Sequence, residues 1–555
     1  MESENETKSR LNKLPACATE YIKQVLKKMR YRRKVRRDVQ AELEAHFEDE
    51  LKQCITDEEK EKKAQQLITN FGDVKLLAVL LRRAKKRCRS LWRKALVCSF
   101  QALGIIVLYF LICSSPMLVG KPTISVNYVD WLNELVRAGR DEQDNARPYY
   151  EKAFELYVEM PQWLSKSRAK WPTDFNDVKL NLLADWLADN QAAIDALREG
   201  SRCPGCWSEY QSDEPELNKA PLTTVSMVNA IVANAMEILP SYRRLAFALR
   251  WQILYKAYNG DIDTALSDSV ALMRFGDHLL GHGLLIEQLV GIAMEALAHN
   301  AIFMLLERVD VPADVLKSAQ EKLDKQFGSQ EPIVSVEAEK VFWYDIIQRA
   351  FTDDGQGSGR MLARGLPYVA TDDWKDNLWR FVSFSYPDRQ EMVANIDRYF
   401  ERFAEILAET PWDMRNEAID EQEGNEDVRI APIMLKINIP AYRRVSQIAW
   451  RMKTGRQALL TVLAIMRYEK EKDQYPAGLD ELVEAGYLKK LPMDPYGDGP
   501  LIYRRTNGGF LLYSFGMDLT DDGGKLGLDS RGTPRMWADN GDWVFWPVPK
   551  PQTKK

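Results

Sequence analysis

A long uncharged run near the amino end constrains this chain more than any other feature. From Ala95 to Gly120 there is no charged residue, and large apolar side chains dominate. About 20 helical residues cross the hydrocarbon core of a bilayer, so the run is long enough to span it. The alternative is a buried helix of a large soluble core, but such a helix is usually shorter and has a polar face. We therefore predict a transmembrane helix over residues 95–117.

The charges beside this run predict its orientation. Eight Lys and Arg residues lie between Arg82 and Lys94, whereas no Asp or Glu occurs between Asp73 and Asp130. Positively charged flanks stay in the cytoplasm, which predicts a cytoplasmic amino end and a periplasmic or otherwise extracytoplasmic carboxyl end. The run starts too far along the chain for a cleaved signal peptide. We expect a single-pass protein of the inner (cytoplasmic) membrane, with the lipid bilayer as a partner.

Length and charge limit the other possibilities. A chain of 555 residues is too long for one hydrophobic core, so several domains are expected. Charged residues make up 28% of the chain and the formal net charge is −5, which is typical of an ordinary soluble surface. Nucleic acid is therefore not an expected partner.

The cysteines are too few and too unevenly placed for a disulfide framework. Of the seven, only Cys203 and Cys206 lie beyond the apolar run, where an oxidising compartment permits a bridge. Their spacing is also that of a redox dithiol or of half a zinc site. No second Cys pair and no thioredoxin-like context accompany them, so we predict a local structural disulfide.

The first part of the chain, residues 17–90, is predicted to be a bundle of short helices. Apolar residues recur there at helical spacing, and Phe71-Gly72-Asp73 has the pattern of a helix end followed by a new helix cap. The stretch from Arg36 to Asp49, together with Phe71-Gly72-Asp73-Val74, resembles the HAAS-type or permease-prefix domain of bacterial membrane proteins. That resemblance implies a regulatory or partner-binding unit on the cytoplasmic side.

Residues 125–440 are predicted to form a helical extracytoplasmic region. The turn Asn259-Gly260-Asp261 resembles that of a tetratricopeptide-type hairpin, although no regular 34-residue period is present. His278 and His282 are four residues apart and are predicted to share a helix face, without the neighbouring Glu of a hydrolytic zinc helix. Trp374 and Trp379 lie near Asp372, Asp373 and Asp376, a combination found in sugar-binding clefts and also in ordinary helical cores.

The carboxyl-terminal residues 441–549 are predicted to form an α+β module. A long helix is followed by the strands 501–503 and 510–513, separated by Asn507-Gly508-Gly509 as in a β-hairpin. The module resembles the soluble end of the major pseudopilin of type II secretion. The matching positions are Tyr475-Pro476, Leu491-Pro492, Asp494-Pro495, Tyr513-Ser514, Gly516, Asp518 and Gly523-Gly524.

That resemblance implies a calcium-binding loop after the second strand. The positions of this chain that match its ligands are Ser514, Asp518, Asp521 and Asp522, and clustered Asp with Gly suits the oxygen coordination of Ca²⁺. A solvated Asp-Gly turn is the alternative. A pseudopilin begins with a cleaved leader and an apolar helix that carries Glu, whereas this anchor follows 94 residues and contains no carboxylate. A role in secretion is therefore not established by the resemblance.

The fold expected from these patterns is mainly α. It comprises a cytoplasmic helical bundle, one transmembrane helix, a helical ectodomain in which helical-hairpin repeats are an option, and a pseudopilin-like α+β module. The function expected is that of a non-enzymatic, membrane-anchored extracytoplasmic interaction or structural protein with an unidentified protein partner on either side of the membrane. A relation to secretion, with a calcium-binding carboxyl-terminal loop, is left open. Two alternatives remain: a transmembrane signalling protein that couples an external ligand to the cytoplasmic bundle, and an extracytoplasmic hydrolase.

Overall fold

The computed structural model describes residues 14–87, 91–167, 171–210, 224–327, 334–362, 387–416 and 433–549. Two compact units divide the chain at residue 112, and each is described by itself. The described residues are mainly helical and include a three-stranded antiparallel sheet near the carboxyl end. The predicted predominance of helix is therefore confirmed. The Trp- and Asp-rich stretch around residues 372–379 lies outside the described residues.

The α-helices are numbered along the chain. The helices that begin before residue 113 are Ala16–Met29 (α1), Arg33–Leu51 (α2), Asp57–Phe71 (α3), Val74–Arg87 (α4) and Leu91–Val119 (α5). The later helices are Tyr128–Arg137 (α6), Arg147–Leu156 (α7), Gln162–Ser165 (α8), Asp177–Asp189 (α9), Gln191–Ser201 (α10), Thr224–Tyr258 (α11), Ile262–Asp277 (α12), Leu285–Arg308 (α13), Ala313–Phe327 (α14), Glu337–Ala350 (α15), Arg389–Ala408 (α16), Ile433–Lys472 (α17) and Leu479–Glu484 (α18).

Helices α1 to α4 pack around a core of their own. Apolar residues at helical spacing, among them Ile22, Val39, Phe47 and Leu67, are buried in it. The turn between α3 and α4 forms as predicted: Gly72 has φ 76°, and the Asp73 carboxylate accepts a hydrogen bond from the N–H of Lys75 at 2.8 Å. Short helices of this kind are stabilised mainly by such shared burial and capping.

Two of the described helices are long and apolar enough to cross a membrane. In α5 the window Ala95–Ile112 is 0% buried, whereas 67% of the window Leu285–Arg308 in α13 is buried. Helix α13 is therefore a core helix of the second unit. Within the window Ala95–Ile112, helix α5 instead exposes its apolar side chains all around, including Phe100, Ile105 and Leu108. Its exposed apolar surface lies within the segment predicted to span the bilayer.

The centre of the second unit is a group of three mutually packed helices, α11, α12 and α13, and the long helix α17 packs against α13 and α14. Helices α12 and α13 approach closely where two glycines face each other. A Cβ atom on Gly291 would lie 2.5 Å from the carbonyl oxygen of Gly276, and one on Gly276 would lie 2.7 Å from that of Gly291. Only glycine fits such a backbone approach.

The turn before α12 also forms as predicted, but the two histidines after it do not share a helix face. Gly260 has φ 83° and Asp261 caps α12 by accepting a hydrogen bond from the N–H of Thr264. Helix α12 ends at Asp277, so His278 is its capping residue and His282 follows in a non-helical segment. The prediction of one shared face was wrong because spacing alone does not locate the end of a helix.

The sheet at the carboxyl end consists of Ile502–Thr506 (β1), Gly509–Ser514 (β2) and Trp543–Trp546 (β3), in that spatial order. Thr506 pairs with Gly509, so Asn507-Gly508 forms a two-residue hairpin turn, with Gly508 at φ 88°. This hairpin was predicted. Strand β3 was not, and it pairs with β2 across a gap of 28 residues. Helix α17 contacts both β2 and β3.

Candidate functional site

The loop that contains Cys203 and Cys206 follows α10 and is fastened to the helices around it. The N–H of Ala146 donates to the Gly205 carbonyl at 2.8 Å. The guanidinium of Arg274 donates to the Pro204 carbonyl at 2.8 Å, and the Nε2 atom of His278 lies 3.1 Å from the Cys203 carbonyl. The loop is therefore positioned by residues that are distant in sequence.

Both thiols of this loop are free in the structure. The Sγ atom of Cys206 lies 3.5 Å from the hydroxyl of Tyr242, and that of Cys203 lies 4.0 Å from the carbonyl oxygen of Glu199. The structure therefore places the two predicted partners in one loop without a bond between them. Their pairing in the exported protein stays a prediction.

A small cavity of about 30 Å³ adjoins Cys206, and its polar lining includes Tyr210, His278, His282 and Glu287. This volume accommodates about two water molecules. Burial raises the pKa of the Cys206 thiol to about 11 and lowers the pKa of His278 to about 3. Near neutral pH the thiol is protonated and the imidazole is uncharged, so neither group is activated for nucleophilic or acid catalysis.

The polar groups around the cavity are already engaged with protein atoms. His278 Nδ1 lies 2.7 Å from the hydroxyl of Tyr150. Glu287 caps the start of α13 by accepting a hydrogen bond from the N–H of Leu284 at 2.8 Å and another from the hydroxyl of Tyr210. Burial raises the pKa of the Glu287 carboxyl, while the hydrogen bonds to it oppose that shift. These contacts organise the helix ends around the cavity.

A buried ion cluster lies next to the glycine contact between α12 and α13. It comprises Arg274, Asp277, Glu295 and Arg456, two positive and two negative side chains. The Nε atom of Arg456 donates to Glu295 at 3.0 Å and its Nη2 atom to Asp277 at 3.2 Å, and Arg274 donates to Asp277 at 2.8 Å. Arg274 also donates to the cysteine loop, so the ion cluster and the loop are joined through one side chain.

The members contributed by α13 and α17, Glu295 and Arg456, are almost completely buried. The side chain of Glu295 is 0% exposed and that of Arg456 is 5% exposed. Burial raises the pKa of Glu295, and the Arg456 guanidinium opposes that shift. Burial acts to lower the pKa of Arg456, but the neighbouring carboxylates outweigh it and raise this pKa. Sequence reasoning missed the cluster because Glu295 and Arg456 are 161 positions apart.

The residues predicted to bind calcium lie at the end of β2 and in the loop after it, and several are engaged elsewhere. Ser514 is buried and donates its hydroxyl to Asp494 at 2.8 Å. The Asp521 carboxylate accepts a hydrogen bond from the hydroxyl of Tyr513 at 2.8 Å, and Asp518 accepts one from the N–H of Thr520 at 3.2 Å. Burial is the main cause that raises the pKa of Asp518, and the charge of Asp522 adds to it.

The carboxylate that organises this loop is that of Asp542, which was not among the predicted ligands. It accepts hydrogen bonds from the N–H groups of Gly524 at 2.6 Å, Lys525 at 3.2 Å and Asp522 at 3.3 Å. Burial raises the pKa of Asp542 to about 6, against the effect of these bonds. Within the described ranges, no group of three or more His, Cys, Asp or Glu side chains is placed to hold a metal ion. Calcium binding through Ser514, Asp518, Asp521 and Asp522 stays a prediction.

No protein-family model, curated protein or solved structure matches this chain.

The state of the two thiols can be measured in the protein isolated from membranes with its thiols trapped by alkylation. We expect both Cys203 and Cys206 to be protected until a reductant is added, because the predicted compartment oxidises them. After reduction, Cys206 should alkylate at least about ten times more slowly than Cys203, since its burial suppresses the thiolate. Peptide-resolved mass spectrometry gives both results. Alkylation of both thiols before reduction would contradict the pairing.

Calcium binding can be tested by thermal unfolding of the full-length protein. Binding by the folded loop at about 100 times the dissociation constant contributes about 2.7 kcal/mol, so the prediction requires a rise of several degrees in melting temperature. The variant Asp518→Ala should lose that rise, whereas Asp498→Ala, at an exposed position of the same module, should keep it. An unmutated protein whose melting temperature is the same with calcium and with chelator does not have the site.

Proposed function

We propose that this protein is a non-enzymatic, membrane-anchored interaction or structural protein of the inner membrane. Residues 17–90 form its cytoplasmic domain and residues 125–549 lie outside the cytoplasm. The observation that carries the proposal is helix α5, whose apolar window Ala95–Ile112 is entirely exposed. A protein in water would have to solvate that whole surface, whereas a bilayer buries it.

The charges along the chain support the proposed orientation. The residues just before the apolar window are strongly basic, and no acidic residue occurs between Asp73 and Asp130. Such an asymmetry holds the amino end in the cytoplasm. Helix α13 does not compete as a second span because most of it is buried in the core of its own unit.

The cavity beside Cys206 is too small for an ordinary substrate, and its chemistry does not point to catalysis there. The space beside Cys206 holds about two waters, whereas cavities that bind small organic molecules are roughly 300–1,000 Å³. Its thiol and imidazole are both neutral near pH 7, and their neighbours are held in structural hydrogen bonds. We therefore assign this region to the stability of the helical body rather than to turnover.

The proposed contact region is the carboxyl-terminal module. Its long helix and antiparallel hairpin are the elements that the resemblance to a pseudopilin implies. We propose that the module binds a protein partner outside the cytoplasm, while the helical bundle resembling a HAAS domain binds one inside.

The topology is tested with tags at both ends of the full-length protein in intact spheroplasts. We expect added protease to remove the carboxyl-terminal tag and to leave the amino-terminal tag intact, because only the former is outside. Carbonate extraction should leave the protein in the membrane pellet, and deletion of residues 91–119 should release it. Permeabilised cells, in which both tags are digested, are the control. Protection of the carboxyl-terminal tag in intact spheroplasts would overturn the orientation.

A further inference from the structure

Helix α4 of the first unit exposes an apolar stripe that no described residue covers. Leu76 is 61% exposed, Val79 is 46% exposed and Leu80 is 52% exposed. Their spacing of three and four residues places them on one face of the helix. The opposite face, which includes Ala78, packs into the core of the bundle. The stripe therefore lies on a face of α4 that does not contribute to the core of the bundle.

Basic side chains border this stripe. Helix α4 contains no acidic residue. Among residues 74–86, whose exposure is described, the exposed basic residues are Lys75, Arg82, Arg83 and Lys86. Arg83 follows Val79 and Leu80 by four and three positions and so extends the stripe, whereas the other three lie together along one side of it. An apolar face with a basic border is the pattern of a helix that lies in a membrane interface.

The position of α4 along the chain brings it close to the proposed anchor. Helix α4 ends at Arg87 and α5 begins at Leu91. Even fully extended, the chain from Arg87 to Leu91 reaches only about 14 Å, while α4 itself is about 21 Å long. If α5 spans the bilayer as proposed, then the carboxyl end of α4 cannot leave the vicinity of the cytoplasmic membrane surface.

We propose that α4 docks on the cytoplasmic leaflet, with Leu76, Val79 and Leu80 at the boundary between headgroups and acyl chains and with its basic residues against anionic headgroups. This inference rests on the proposed membrane anchoring and goes beyond it, because an anchored domain need not touch the surface. The charge favours this occupant, since the cytoplasmic leaflet is negatively charged and α4 carries only positive charge. A second copy of the chain would bring like charges together.

The test uses the full-length protein in lipid nanodiscs with an environment-sensitive fluorescent amino acid at one of three positions. Position 80 reports the stripe, position 62 reports an exposed site on α3, and position 108 reports the anchor. Lipids with brominated acyl chains quench a fluorophore that is in contact with them. With phosphatidylglycerol present, we expect quenching at position 80 to be at least about twice that at position 62. High salt should weaken it, because salt screens attraction to headgroups.

The outcomes separate the two proposals. Quenching at position 108 without quenching at position 80 would overturn the docking of α4 and leave the anchoring intact. Absence of quenching at position 108 would overturn the anchoring itself. An emission change at position 80 that follows the number of protein copies in each disc, rather than the lipid charge, would assign the stripe to self-association and overturn this inference.

A charge variant provides the matched comparison. Replacing Arg82, Arg83 and Lys86 together by Gln should reduce the quenching at position 80 at least about twofold while leaving that at position 108 unchanged. These side chains are exposed, so the bundle should keep its helical circular dichroism signal. Retained quenching at position 80 in this variant would contradict the headgroup contact.

Discussion

Replacing Arg456 by Met is expected to lower the free energy of unfolding of the second unit by about 3–5 kcal/mol. The substitution leaves Glu295 without its cation in a position that is 0% exposed, while Asp277 keeps Arg274. An unpaired buried carboxylate is far more costly than a lost surface ion pair. Urea unfolding of the detergent-solubilised protein, followed by Trp fluorescence, measures the change, because 14 of the 15 Trp residues follow residue 112.

Two further variants test whether the unpaired charge causes this loss of stability. Adding Glu295→Gln to Arg456→Met should recover part of the loss, because the side chain left behind is then neutral. Arg202→Ala, which removes an exposed ion pair with Glu199, should change the unfolding free energy by less than about 1 kcal/mol. An Arg456→Met protein as stable as the unmutated one would show that the cluster contributes nothing to stability.

Replacing Gly291 by Ala is expected to destabilise the second unit by about 1–3 kcal/mol. The new Cβ atom would lie 2.5 Å from a backbone carbonyl oxygen of α12, so the two helices must separate. In an ordinary helix the same change is stabilising by about 1 kcal/mol, so the sign of the effect reports the close approach. The same urea unfolding measurement applies.

The comparison for this prediction is Gly499→Ala, where a Cβ atom would meet no other atom within 4 Å. That variant should be neutral within about 0.5 kcal/mol. The double variant Gly276→Ala with Gly291→Ala should be less destabilising than the sum of the two single changes, since one separation of the helices relieves both contacts. A stabilising effect of Gly291→Ala would contradict the close helix contact.

Local patterns were enough to predict much of the secondary structure. The cap at Gly72-Asp73, the turn at Gly260-Asp261 and the hairpin turn at Asn507-Gly508 each depend on a few adjacent residues, and each forms as expected. Strand β3 was missed because it has only four residues and its partner precedes it by 28 residues. The end of α12 was missed because residue spacing does not locate a helix end; its capping residue His278 contacts the cysteine loop.

The candidate sites were harder to predict for the same reason. The Tyr150–His278 contact joins residues 128 positions apart, and the bond between Arg456 and Glu295 joins residues 161 positions apart. No short motif encodes such pairs. The predicted calcium ligands lie within nine residues of one another, between Ser514 and Asp522, but the carboxylate that holds their loop is Asp542, which the pairing of β3 brings to the loop.

Helix α17 has a mechanical consequence. Its 40 residues form a rod about 60 Å long that contacts α13 and α14 in the helical body and β2 and β3 in the sheet. The predicted domain boundary at residue 441 falls within this helix, directly after Pro440. A load applied to the sheet by a bound protein would therefore pass along the backbone of α17 as tilt or axial strain. It would reach the helical body directly, without being absorbed by a linker.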